Sequence, residues 1–465
     1  MMFLGRNTYS FATDEGISDA VLLAHLFAGS DASGTANLDR WKKIMEVTGF
    51  FAGAPTDVSY PEWRDFLVQT LGAEKVTLSS LATPEIAKKV RLNLSKLARP
   101  RNLSDAVVNT KIENEARGFR IMGQRFSLDG WILGRLTAGK KKSKIKLPST
   151  PSAVFIAAVF GNKTARNLVI PVLKELDSTF GDEEGKAFLG LIDAIAGELA
   201  QIPESEWLIS LGDGWLKTLS TLTGEYGQGY PLYMQSPLFG IRQLEEFLGS
   251  FTELKHDLLL YAKQNYAECG EGADGEIPPC PKGFVEPNLA FWRELLRLVD
   301  YTASGFEQVK LPASARGEYG QLGRFRTQVA FFASLAEKEL EGKPISEDDY
   351  ELLRITDFSY MAKPWGDQDY DDEDRKSALI ADLHTDMQKR RILYQANGEP
   401  FIVLVLVGNE NSPRLTIGVT FNHYEFVGPL TIRMGDKDWQ KKVYERPADL
   451  PPKNTWSWSA GYPLS

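Results

Sequence analysis

From Thr13 to about Met361, apolar residues recur at intervals of three and four, the spacing of a helix with one buried face. SDAVLLAHLFAG, LDRWKKIMEVTGFFAG, PEWRDFLVQTLG, EEGKAFLGLIDAIAGELAQ, FWRELLRLVDYTASGFEQV and GRFRTQVAFFASLAEKELEG all carry it. The punctuation agrees. Ser346 and the acids after it open PISEDDYELLRI as an N-cap and first turn should, and Gly29, Gly53 and Gly342 stand where helices should stop. No strict repeat period emerges, so a solenoid is not expected. AVFIAAVFG reads as a short buried strand or a helix turn, and the five lysines from Lys140 to Lys146 read as a solvated loop.

Beyond residue 362 the period changes. AKPWGDQDYDDEDRK is an acidic connector, and SALIADLHTD, RRILYQANG, PFIVLVLVG and RLTIGVTFNHYEF are alternating or β-branched runs between turn residues. ANGEP and GNENSPR have the composition of hairpin turns. The expected architecture is α+β: a large, mainly helical body over 1–361, a connector over 362–375, and a small antiparallel β-sheet in a C-terminal subdomain over 376–465 packed on the body. The Trp456 and Trp458 rings are expected to pin the tail to a surface.

Composition narrows the class. The chain of 465 residues is 43% apolar and 25% charged, as in a folded globular protein. Its 53 basic and 62 acidic side chains give a net charge of −9, which argues against a general nucleic-acid surface. No run is long enough to span a bilayer, and MMFLGRNTYS lacks the features of a signal peptide. The two cysteines, Cys269 and Cys280, bracket a loop of glycine, proline and acid. In an oxidising compartment a disulfide there would close the loop and stabilise by roughly 2–3 kcal/mol. The alternative is a pair of free thiols.

Several long motifs resemble the family catalogued as domain of unknown function 3160. ARGFRIMGQRFSLDGWIL is similar to its RGFRxMGQRF segment, and YPLYMQSPLFG followed by FLGSFTELKHDLLLYAKQNYAECG is similar to its longest motif. CPKGFVEPNLAFW, ALIADLHTD and VTFNHYEF follow in the family's order. IRQLEEFLGSF departs from the family's LNTALASW, and Lys255 stands for an arginine. The resemblance implies an extracytoplasmic, periplasmic or cell-surface protein, lipoprotein-like in type, whose upstream histidine-containing region and anchor lie outside this chain. It implies no activity.

Two polar clusters carry candidate chemistry. On a helix through 251–264, Glu253, His256 and Asp257 fall on one arc with Lys263 at its edge, opposite Phe251, Leu254 and Leu258. They form either a salt-bridge network or an acid–base or metal-binding group. This is not HExxH, so a zincin is disfavoured. In ADLHTD, strand alternation would put Asp382, His384 and Asp386 on one face, where they could meet a divalent ion. His423 and Glu425 share a strand face and could join them. His25, within VLLAHLFAG, reads as a core residue. Asp367, Asp369 and Asp371 begin like a calcium loop but lack its later glycine and glutamate. There is no G-x-S-x-G, P-loop or Rossmann fingerprint.

Two functions follow. One is a non-catalytic envelope or surface scaffold that binds a small ligand, an envelope component or a metal ion such as calcium or zinc. The other is a metal-dependent hydrolase using the ELKHD and DLHTD clusters. If the cysteines form the clip, thiol titration of the denatured, unreduced protein counts no free thiol; two free thiols would exclude it.

Overall fold

The computed structural model describes residues 7–29, 36–55, 58–72, 83–97, 118–123, 125–138, 144–258, 282–309, 317–356, 376–387, 389–409, 412–454 and 457. They fall into two compact units, Met1–Ser149 with Ile209–Asp213, and Thr150–Leu208 with Gly214–Ser465. Mainly helical structure with antiparallel sheets toward the C-terminus bears out the α+β expectation.

In the first unit the helices are α1 (Asp14–Phe27), α2 (Asn37–Ala52), α3 (Tyr60–Leu71), α4 (Pro84–Asn93) and α5 (Leu128–Leu136). Strands β1 (Tyr9–Ser10) and β2 (Gly118–Phe119) form a short antiparallel pair. Their apolar faces meet around Trp63, Tyr60 and Phe119, all essentially buried. The indole N–H of Trp63 donates to the Ala20 carbonyl at 2.9 Å, so the ring is buried without an orphaned donor. Thr13 caps α1 through the Gly16 N–H at 3.1 Å. Gly53 ends α2 at φ 79°, a left-handed backbone that suits glycine. His25 is not a core residue. The buried stripe of α1 is Ile17, Ala20, Val21 and Ala24, and the next position round the helix turns His25 to solvent.

Along the chain there follow α6 (Ala153–Val159), α7 (Lys163–Leu176), α8 (Asp182–Leu199), α9 (Leu211–Ser220), α10 (Pro237–Leu258), α11 (Leu289–Gln308), α12 (Gly317–Leu340), α13 (Glu347–Arg354) and α14 (Asp436–Gln440). AVFIAAVFG is helical, and every residue of α6 is buried, as befits a helix apolar all round. Ser346 and Asp349 form the capping box of α13.

The strands of the second unit make two sheets. β3 (Leu379–Asp386), β4 (Arg391–Asn397) and β7 (His423–Pro429) pair antiparallel in the order β3-β4-β7. β5 (Phe401–Asn409) and β6 (Ser412–Thr420) form a separate ribbon, joined at the GNENSPR turn as expected. ANGEP is not a hairpin turn. β4 pairs with β3 and β7, so ANGEP carries the chain out of one sheet and into the other. One face of the three-stranded sheet is apolar, with Ile380, Ile392, Tyr394, Ala396 and Tyr424 packed on Trp439.

The other face meets α10. The two come close at Gly249, where the Asn397 side-chain amide donates to the Gly249 carbonyl at 2.9 Å. A Cβ at 249 would collide with the Phe421 ring. Gly249→Ala is therefore expected to destabilise the protein by about 1–3 kcal/mol, as overpacking does. Urea denaturation would show this as a lower midpoint, and an unchanged midpoint would mean that α10 does not lie so close.

Candidate functional site

α10 ends in the ELKHD stretch, and its side chains take distinct roles. His256 is buried, while Asp257 is exposed and Glu253 lies between. The His256 Nδ1 lies 3.2 Å from Asp257 Oδ1 and its Nε2 lies 3.0 Å from Asp436 Oδ2, at the start of α14. With a carboxylate at each ring nitrogen, both nitrogens donate and the ring is an imidazolium. Those hydrogen bonds to Asp257 and Asp436 raise its pKa to about 9. Asp436 Oδ1 in turn accepts from the Ile380 N–H at 3.1 Å. His256 thus links α10, α14 and β3, and its nitrogens have no lone pair for a metal. Burial pushes Glu253 up to about 7, with Asp257 adding to the rise.

Asp382, His384 and Asp386 do not share a strand face. A β-bulge between Asp382 and His384 inserts one residue against β4. Asp382 consequently pairs opposite Tyr394 on the apolar face, whereas His384 and Asp386 pair opposite Leu393 and Arg391 on the other. Asp382 Oδ2 forms an ion pair with Arg433 Nε at 2.6 Å, and Asp386 Oδ1 accepts from the Lys389 N–H at 2.9 Å.

His423 and Glu425 do share a face, the one that α10 covers. His423 Nε2 lies 2.8 Å from Gln395 Oε1, an acceptor, so that nitrogen carries the proton. Gln395 Nε2 donates to Glu425 Oε2 at 2.7 Å, which also accepts from the Ala153 N–H at 2.8 Å, the start of α6. Burial, reinforced by Lys453, lowers the His423 pKa to about 3, leaving a neutral ring. These two residues form a directional hydrogen-bond chain inside the unit. Among the described residues, no three His, Cys, Asp or Glu side chains converge as metal ligands would. Lys263, Cys269, Cys280, Asp367, Asp369, Asp371, Trp456 and Trp458 lie outside the described residues.

A concavity lies elsewhere in the second unit, on the opposite reach of α10. It is a cleft of about 770 Å³ between α10, the 282–288 segment, the start of α11 and the inner face of the β5–β6 ribbon. Its walls are apolar and aromatic, with Phe284, Phe291, Trp292, Val403 and Val405. Its floor is charged. Arg242 pairs with Glu286, and its Nε lies 3.4 Å from Glu246 Oε1. The Glu246 carboxyl, which also accepts from Thr420 Oγ1 at 3.3 Å, is pushed up to about 7 by burial, with Glu286 contributing. Burial and Glu286 likewise push the Tyr233 phenol well above its usual range. Arg414 on β6 donates to the Gly283 carbonyl at 3.0 Å and ties the ribbon to the loop. The floor thus holds two carboxyls against one guanidinium.

Part of the lining comes from motifs already quoted, YPLYMQSPLFG, CPKGFVEPNLAFW and IRQLEEFLGSF, and much of the rest from the β5–β6 ribbon. The available signal was density of aromatic rings beside Glu286 and Glu246, but nothing in the sequence places the ribbon opposite them. A family model described as a protein of unknown function (DUF3160) matches residues 1–457. No curated protein and no solved structure matches the chain.

The His256 clamp has a pH signature. Its pKa in the folded protein lies above the ordinary 6.5, so its stabilisation is complete below pH 6.5 and disappears as pH rises through about 9. With Asp257 and Asp436 both partly in water, the loss is about 1–2 kcal/mol. Lys453, lowered to about 8 by burial, acts in the opposite direction above pH 8. The difference between the wild type and His256→Gln isolates the clamp. Urea midpoints at pH 6 and pH 9 should differ less in the variant, and an equal pH dependence would refute the assignment.

Proposed function

Because the chain belongs to the family of proteins of unknown function known as DUF3160, whose description carries no activity, we propose a function from the cleft: non-catalytic binding of a small amphipathic ligand. The observation that carries this is the pairing of an apolar, aromatic cleft of about 770 Å³ with a charged floor. That volume suits a small-molecule site, where apolar walls supply affinity and a few polar groups fix orientation. The floor sets two carboxyls against Arg242, and Lys282, which also lines the cleft, is paired with Glu347, so the polar end of the ligand is an amine or another strong donor directed at Glu246. The aromatic walls would accept the cationic end as well as the apolar body.

The hydrolase alternative has less support, since its residues are engaged elsewhere: His256 between two carboxylates, Asp382 with Arg433, and His423 with Gln395. An extracytoplasmic, envelope-associated setting is part of the proposal; the cysteine pair and the family resemblance support it. No helix among the described residues is long and apolar enough to cross a membrane.

Thermal-shift and calorimetric titrations with hydrophobic amines, matched against carboxylates and alcohols of the same skeleton, test the reading. Amines should bind best, and more tightly as pH rises through 7, because Glu246 ionises over that range. Glu246→Gln should remove the preference for amines, and Trp292→Ala should weaken every ligand by about 1–3 kcal/mol. Equal binding of carboxylates and amines, or no binding of any amine, would overturn it.

A further inference from the structure

The β5–β6 ribbon has two unlike faces. Val403 and Val407 point inward and are buried, and Val405 lines the cleft. The alternate positions form three cross-strand pairs on the outer face: Ile402 with Val419, Leu404 with Ile417, and Leu406 with Leu415, of which the β6 members also border the cleft. All six side chains are exposed, from 56% for Leu415 to 76% for Ile417. Their exposed portions together equal about four whole side chains, on the order of 700 Å² of apolar surface, above the roughly 300–600 Å² of the largest patch on an ordinary monomer. It also approaches the roughly 800 Å² that each partner gives to a standard interface. Leaving such a ribbon in water is costly and invites association.

We propose that this outer face is a homodimer interface, in which the ribbons of two copies pack face to face across a two-fold axis into a small four-stranded sandwich. Three features choose a second copy. The area is close to what a stable dimer needs, without help from other surfaces. The face consists of cross-strand aliphatic pairs with no charged or polar member, so nothing in it selects an unlike partner by electrostatic complementarity. The same patch can serve on both subunits, as an isologous contact requires. A bilayer fits less well: the face has no tryptophan, tyrosine, lysine or arginine of the kind that anchors proteins at the lipid interface, and the chain carries a net charge of −9.

Light scattering after size exclusion, and sedimentation velocity of the full chain from micromolar to submillimolar concentration, read the proposal directly. A concentration-dependent dimer is expected. L404E/I417E should weaken it by about a hundredfold or more, because two central contacts are lost and like charges face each other. Since both side chains are exposed, the circular dichroism spectrum and melting temperature of the monomer should be retained. Should that variant misfold, I402T/V419T keeps the β-branched backbone preference and should also weaken the dimer. A wild type that is monomeric throughout the range overturns the proposal. So does a dimer indifferent to both variants, or a monomer that co-sediments with neutral phosphatidylcholine vesicles, which would assign the face to lipid.

Discussion

The second unit depends on one close approach: the backbone of α10 against the three-stranded sheet at Gly249. With no Cβ there, the ring of Phe421 lies over the helix and Asn397 reaches the Gly249 carbonyl. Contact at that distance removes water from everything around it. The polar groups of α10 and the sheet must therefore find partners within the protein, since an unpaired buried group costs more than a net hydrogen bond returns. Gln395 answers this by joining His423 to Glu425, and Glu425 by holding the start of α6.

That requirement gives the histidines contrasting states. His423 is buried without a carboxylate in contact and stays neutral, whereas His256 sits between Asp257 and Asp436 and stays charged. His256 has both ring nitrogens committed, and His423 is held through its Nε2–H on Gln395. The cleft differs. Its floor sets two carboxyls beside one guanidinium, and burial, with Glu286 adding to it, raises Glu246 toward neutrality. A buried carboxyl at the floor of an apolar cleft is a group that a ligand's donor can satisfy, whereas the His256 clamp is already complete.

The β5–β6 ribbon connects the two surfaces of functional interest. Its inner face closes the cleft and is tied to the 282–288 segment by Arg414. Its outer face is the aliphatic patch of three cross-strand pairs. On β6 the lining of the cleft runs through consecutive residues, so Leu415, Ile417 and Val419 border the cleft as well as belonging to the patch. Occupancy of the outer face would bear on the rigidity of the cleft wall, because the two faces share a backbone.

The local rules were legible in the sequence. Helical periodicity, the Ser346 cap, the glycine stops and the GNENSPR hairpin are set by neighbours a few residues apart, and they stand in the structure as read. The extra residue of the bulge, which turns Asp382 away from His384, depends on register against β4 and so was not legible in ADLHTD. His25 shows the same limit on a helix, since a stripe's edge is fixed by what packs against it. ELKHD announced a polar cluster, but its nature depended on Asp436, 180 residues away. The cleft needed α10, the 282–288 segment and the ribbon together, and only tertiary packing, which trades water for protein contacts between distant segments, could assemble it.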